Sequence, residues 1–159
     1  MVVRSEASLD LTERALKTRV RAALAMLFAR DSKLLEYAAG ERAVVAKLAS
    51  YLAPLFRSYD VDVEYNRHGL DPKDLDLPSG CRGGGRRRVF PDIVVHRRGT
   101  DKTNLLVIEI KKETNREPRE CDRAKIAAMK TQLGYRWGVL IELPARRGAT
   151  ERQPTQQWL

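Results

Sequence analysis

Apolar residues return every three or four positions between about 10 and 29, where Leu16, Val20, Leu24 and Leu27 fall on one stripe of an amphipathic helix. Asp10 or Thr12 stands ready to cap it. After a short break at residues 31 to 40, a second helical period fills 41 to 57, with Val44 or Val45, Leu48, Leu52 and Leu55 on its apolar side. Glu41 heads that stripe, one turn before the valines.

Beyond residue 60 the period changes to that of strands. Four segments rich in Val, Ile and aromatic residues, 61 to 67, 88 to 96, 104 to 111 and 135 to 143, predict four strands. A helical segment separates the last two, with Pro118 suited to a first helical position and Gly134 suited to the stop. Residues 97 to 103 are few enough to make an antiparallel hairpin of their flanking strands, whereas the helix before the fourth strand allows a parallel crossover. The expected fold is α/β: a four-stranded mixed sheet flanked by helices. Residues 67 to 87 show no regular period and predict a long loop, and the tail after 143 reads as frayed apart from Trp158 and Leu159. The whole chain is expected to be one domain: a helical extension at 10 to 40, a core at 41 to 143 and a tail at 144 to 159.

No apolar run approaches the roughly 20 residues of a membrane span, and residues 1 to 17 lack the apolar block of a signal peptide, so the expectation is a cytoplasmic protein with no membrane partner. Cys81 and Cys121 lie in unlike contexts without a CxxC or Cys/His pattern, and read as free thiols. The formal charge of +9 gathers in arginine clusters at 82 to 88, 96 to 99 and 145 to 148. Such clusters suit either a polyanionic partner or a solubilising surface.

Three charges stand inside the water-avoiding strands. Glu109 and Lys111 alternate onto one face, about 7 Å apart along the chain. Asp92 reaches the same face if the 97 to 103 hairpin sets the register. Two carboxylates converging at a sheet rim repel each other and require a counterion. Lys111 could supply it, or a hard divalent cation such as magnesium, which takes one or two carboxylates and leaves places for water and phosphate. From these residues alone the trio also fits a structural ion pair or a solvated strand face. His68 and His96, singly placed, are assigned to neither metal nor catalysis.

Pro91-Asp92, sixteen intervening residues and Glu109-Ile110-Lys111 resemble the PD-(D/E)xK signature of the restriction-endonuclease-like nucleases. Both halves lie on adjacent predicted strands, within the αβββαβ order of that superfamily's core. The similarity covers about residues 41 to 143 and is nearest to small stand-alone members. It implies that Asp92, Glu109 and the Ile110 carbonyl hold Mg2+, with Mn2+ as a substitute, that Lys111 is the catalytic lysine, and that Glu41 serves a second metal or its waters. Basic groups on the following helix contact phosphate in relatives, which brings in Lys125, although Lys125 also suits an i, i+3 ion pair with Asp122. Glu64 is left between a site-facing acid and the polar half of a strand.

The expected function is therefore a metal-dependent nuclease that hydrolyses phosphodiester bonds, with DNA ahead of RNA as substrate and room for a homodimer. Arg82, Arg86, Arg87 and Arg88 are expected to hold the nucleic-acid backbone without reading bases. The alternative is a catalytically silent nucleic-acid-binding module of the same fold.

Overall fold

Thr12 opens the first helix, α1 (Glu13–Arg30), its hydroxyl accepting the Ala15 N–H at 3.2 Å. A cap of this kind is worth about 1 kcal/mol. A computed structural model describes residues 11 to 81 and 84 to 159. Asp10, the other candidate cap, and Arg82 lie outside the described residues. The break expected at 31 to 40 contains a short helix, α2 (Ser32–Glu36), before α3 (Glu41–Leu52). Pro54 converts the end of α3 into a 3-10 turn at Ala53–Leu55, since proline has no N–H to continue an α-helix.

Nine strands follow among the described residues: β1 (Asp60–Val63), β2 (Arg67–His68), β3 (Asp71–Pro72), β4 (Asp74–Leu77), β5 (Gly85–Arg88), β6 (Ile93–His96), β7 (Leu106–Lys112), β8 (Trp137–Leu143) and β9 (Thr155–Trp158). The fourth helix, α4 (Glu120–Leu133), joins β7 to β8, and Gly134 ends it at φ 71°, where a glycine is favoured. The main sheet runs β1-β6-β7-β8-β9. Its β6–β7 pair is the antiparallel hairpin and its β7–β8 pair is parallel, as the connection lengths allow.

The structure corrects three expectations. The sheet has five strands, because the tail does not fray: β9 pairs antiparallel with β8 and half buries Trp158. The supposed loop at 67 to 87 holds two hairpins, β2–β3 and β4–β5, and the period that betrays the second is the alternation Asp74, Leu75, Asp76, Leu77. Finally, Cys81 and Cys121 are joined as a disulfide across 40 residues of sequence. Folding of the β4–β5 hairpin against α4 brings the two together, a long-range event with no local signature.

One face of the sheet packs Ile93, Val95, Ile108, Ile110, Val139 and Ile141 against Leu16, Val20 and Leu27 of α1 and Val44, Leu48 and Leu52 of α3. The segment expected as an extension thus forms part of the main core. The opposite face packs Val94, Val107 and Leu140 against Ile126, Met129 and Leu133 of α4, and Leu75 of the β4–β5 hairpin joins this second cluster. Gly138 allows α4 to come close: a Cβ there would stand 2.2 Å from the Ile126 side chain.

Candidate active site

The hairpin register settles how Asp92 and Glu109 meet. Ile93 pairs with Ile108 and Val94 with Val107, so one step further along the same ladder Asp92 falls opposite Glu109. Opposed residues of an antiparallel pair share a face. Pro91, which has no N–H to give the ladder, stands just before this position. In place of a further backbone pair, the Ile110 N–H donates to Asp92 Oδ2 at 2.7 Å and the Asp92 N–H reaches Glu109 Oε1 at 3.4 Å. Strand geometry directs the N–H and C=O of one residue to the same side, so the Ile110 carbonyl also faces the edge that Asp92 occupies.

Both acids have lost most of their water. Glu109 is 2% exposed, and burial pushes its pKa up to about 8, against the pull of Lys125. Asp92 is raised as well. Burial is the largest cause and Glu41 adds to it, while Lys125 and the Ile110 N–H act in the opposite sense.

Lys125, a candidate for phosphate contact, lies on the Glu109 carboxylate. Its Nζ is 2.8 Å from Glu109 Oε2 and donates to the Phe90 carbonyl at 3.3 Å. Burial acts to lower its pKa, but Glu109 and Asp92 outweigh that and hold it above the ordinary lysine range. Lys111, on the same face as Glu109, turns to α4 and the loop before it, 3.6 Å from Asp122 Oδ1 and 3.4 Å from Glu117 Oε2. Asp122 is buried, and its Oδ2 has no hydrogen-bond partner. An orphaned, buried carboxylate oxygen marks a place short of a proton donor, a water or a cation.

Glu41 reaches the same end of the sheet from the first turn of α3. Its Oε2 accepts the Lys112 N–H at 3.2 Å and the Asn115 amide at 3.4 Å. Arg119 fixes the intervening loop through Glu142, at 2.8 Å, and the carbonyls of Asn115 and Glu117. Glu64 ends β1 in a left-handed conformation, φ 51°, and its exposed carboxylate pairs with Arg42 at 3.4 Å. Its N–H continues the sheet by donating to the Asp92 carbonyl at 3.2 Å.

The arginines expected on a loop stand on β5, where Arg86, Arg87 and Arg88 are exposed. Arg86 and Arg88 face Asp76 and Asp74 of β4 at 4.0 and 3.3 Å, and Arg87 donates to the Gly84 carbonyl at 3.0 Å. Exposed pairs of this kind are weak and open to exchange for a phosphate. From β5 the chain passes through Val89, half-exposed Phe90 and Pro91 directly into Asp92.

A second polar cluster occupies the opposite end of β6. His96 is buried and pairs with Asp62 at 2.8 Å, while Lys73 is 1% exposed and donates to the Tyr65 and Arg67 carbonyls. Burial brings Lys73 down to about 8. The His96–Asp62 pair bridges β6 and β1, Lys73 holds the chain that enters β2, and neither histidine reaches the candidate site. The burial of Lys73 was invisible in a sequence where it lies among aspartates and prolines.

Among the described residues, no three His, Cys, Asp or Glu side chains stand close enough to form a ready cage for a metal ion. Asp92 and Glu109 nevertheless suit magnesium, which needs only one or two carboxylates and otherwise keeps its waters. Their donors are all oxygen, Glu109 is already paired with an ammonium, and an unsatisfied carboxylate oxygen lies nearby. Among the described residues no helix is long and apolar enough to cross a membrane. Comparisons with protein-family models, curated proteins and solved structures returned no match.

Proposed function

We propose that this chain is a metal-dependent nuclease of the PD-(D/E)xK, restriction-endonuclease-like kind, hydrolysing phosphodiester bonds in nucleic acid, with DNA as the first substrate to test. The observation that carries the reading is the register that sets half-buried Asp92 opposite buried Glu109 at the open end of the β6–β7 hairpin. The order α3, β1, β6, β7, α4, β8 along the main sheet supports it further.

Asp92, Glu109 and the Ile110 carbonyl would hold Mg2+ or Mn2+, which when bound supplies a Lewis acid for the scissile phosphate and lowers the pKa of water. The remaining chemistry belongs to side chains of the chain itself. Lys111 is kept protonated: burial acts to lower its pKa, but Asp122, Glu41 and Glu117 together raise it, so its positive charge is available to an attacking or leaving oxygen. Glu41 fixes the backbone after Lys111 by accepting the Lys112 N–H. Arg86, Arg87 and Arg88 offer charge to the nucleic-acid backbone along a path that leads through Phe90 to Asp92.

One observation favours the rival reading, a catalytically silent binding module. Lys125 already neutralises Glu109, as a purely structural pair would. Incubation with labelled single- and double-stranded DNA and RNA, in Mg2+, Mn2+ or chelator, separates the two. Cleavage that needs the metal is expected. Salt-sensitive binding without cleavage would support the silent module, and the absence of both would remove nucleic acid from consideration.

A further inference from the structure

Two lysines enter the charged cluster, and they are not equivalent. Lys111, the one in the strand motif, faces Asp122 and Glu117. Lys125, from α4, alone touches a carboxylate of the candidate metal pair, at 2.8 Å, and it is held there from a second direction by the Phe90 carbonyl. Its helix has little freedom to withdraw. Ile126, the next residue, packs into the space left by Gly138, and Cys121, one turn earlier, is bonded to Cys81.

We propose that Lys125 is a built-in counterion which an incoming divalent cation has to displace from Glu109, so that this lysine, more than the motif Lys111, sets the cation affinity of the site. The inference rests on the nuclease reading. Its physical basis is competition for one oxygen. A metal ion drawn to within 2.0 to 2.1 Å of an oxygen already held at 2.8 Å by an ammonium meets a like charge there, and the repulsion between the two cations favours expulsion of the ammonium. Expulsion costs the attraction between Glu109 and Lys125, which is strong because both side chains are largely shielded from water. In the displaced state the Lys125 ammonium lies free beside Phe90 and Asp92, where an anionic phosphate can take it up. Lys125 is thus a positioning residue, which holds the Glu109 carboxylate against unwanted cations until a suitable ion arrives.

Calorimetric titration of Mn2+ and Mg2+ into the oxidised protein, without nucleic acid, tests this. Lys125→Met keeps the length of the side chain and removes its charge, so it should bind at least about tenfold more tightly than wild type. Lys125→Arg, which keeps the charge, should bind no more tightly than wild type, and Lys111→Met should gain less than Lys125→Met. Should Lys125→Met fail to fold, NMR of the lysine ammonium groups in the wild-type protein decides: the Lys125 resonance should lose its protection from exchange as Mg2+ saturates the site. Ordinary binding by wild type with no gain in Lys125→Met, or a Lys125 ammonium that stays protected at saturation, would overturn the displacement while leaving the nuclease reading intact. Failure of every protein to bind either ion would overturn both.

Discussion

Glu109 is a carboxylate on a strand whose neighbours at 108 and 110 are fully buried, and its own side chain has almost no contact with water. Without a metal, that burial has a consequence for stability. The folded pKa of about 8 lies above the ordinary 4.5, so between these values the native state binds more protons than the unfolded chain. Stability from this group is therefore fully present below about pH 4.5 and is lost as pH rises through 8. Asp92 and Asp122 are displaced in the same direction, in each case chiefly by burial. In chelator, the melting temperature should fall between pH 5 and 8, and Glu109→Gln, which still accepts a hydrogen bond from Lys125, should reduce that fall. Equal pH slopes for wild type and variant would show that Glu109 is not the group responsible. At this scale the pair Asp92 and Glu109 was legible in the sequence, because strand alternation and a short hairpin fix which residues oppose one another. The pairing of Lys125 was not. Placing it takes the exact rotation of α4 against the sheet, which Gly138 and Ile126 decide through packing.

The β4–β5 hairpin carries much of the positive charge near the site, and it is also the element that the sequence concealed. Glycine, proline and arginine mask its period, and only the Asp-Leu alternation of β4 reveals it. Two of its three arginines are satisfied by aspartates across the hairpin, yet all three are exposed. Replacing Arg86, Arg87 and Arg88 by alanine should weaken DNA binding irrespective of sequence and flatten its salt dependence by about 0.9 logarithmic unit per lost phosphate contact. An unchanged slope would take the hairpin off the substrate path. The same element is anchored by the Cys81–Cys121 disulfide, whose 40-residue span corresponds to roughly 4 kcal/mol of lost unfolded-state entropy in a chain-entropy treatment. Reduction by dithiothreitol, or Cys81→Ser with Cys121→Ser, should lower the melting temperature by roughly 8 to 16 °C. A bond that can be removed without any shift would mean that the hairpin is held by Leu75 and the α4 contacts alone.

Across the whole molecule, the helices at either face, the antiparallel hairpin and the parallel crossover follow from periods and connection lengths that can be read directly. The fifth strand does not, because Thr155 to Trp158 is polar apart from its tryptophan and gains its order by pairing with β8. Nor does the participation of α1 in the central core, which depends on how α1 and α3 stack. What the assembled sheet contributes to function is placement: Asp92 and Glu109 come from different strands, Lys125 and Asp122 from α4, and Glu41 from α3, and they meet at one end of it. The cleavage rate of end-labelled DNA in Mg2+, compared between wild type and Asp92→Asn, tests the central claim most directly. Asparagine preserves the hydrogen bond from the Ile110 N–H but removes the charge, so the fold should persist with an unchanged or higher melting temperature. Wild type should cleave only with Mg2+ or Mn2+ present, and Asp92→Asn should be slower by at least about a hundredfold. Wild-type protein that cleaves nothing in either metal, or equal rates for the two proteins, would contradict it.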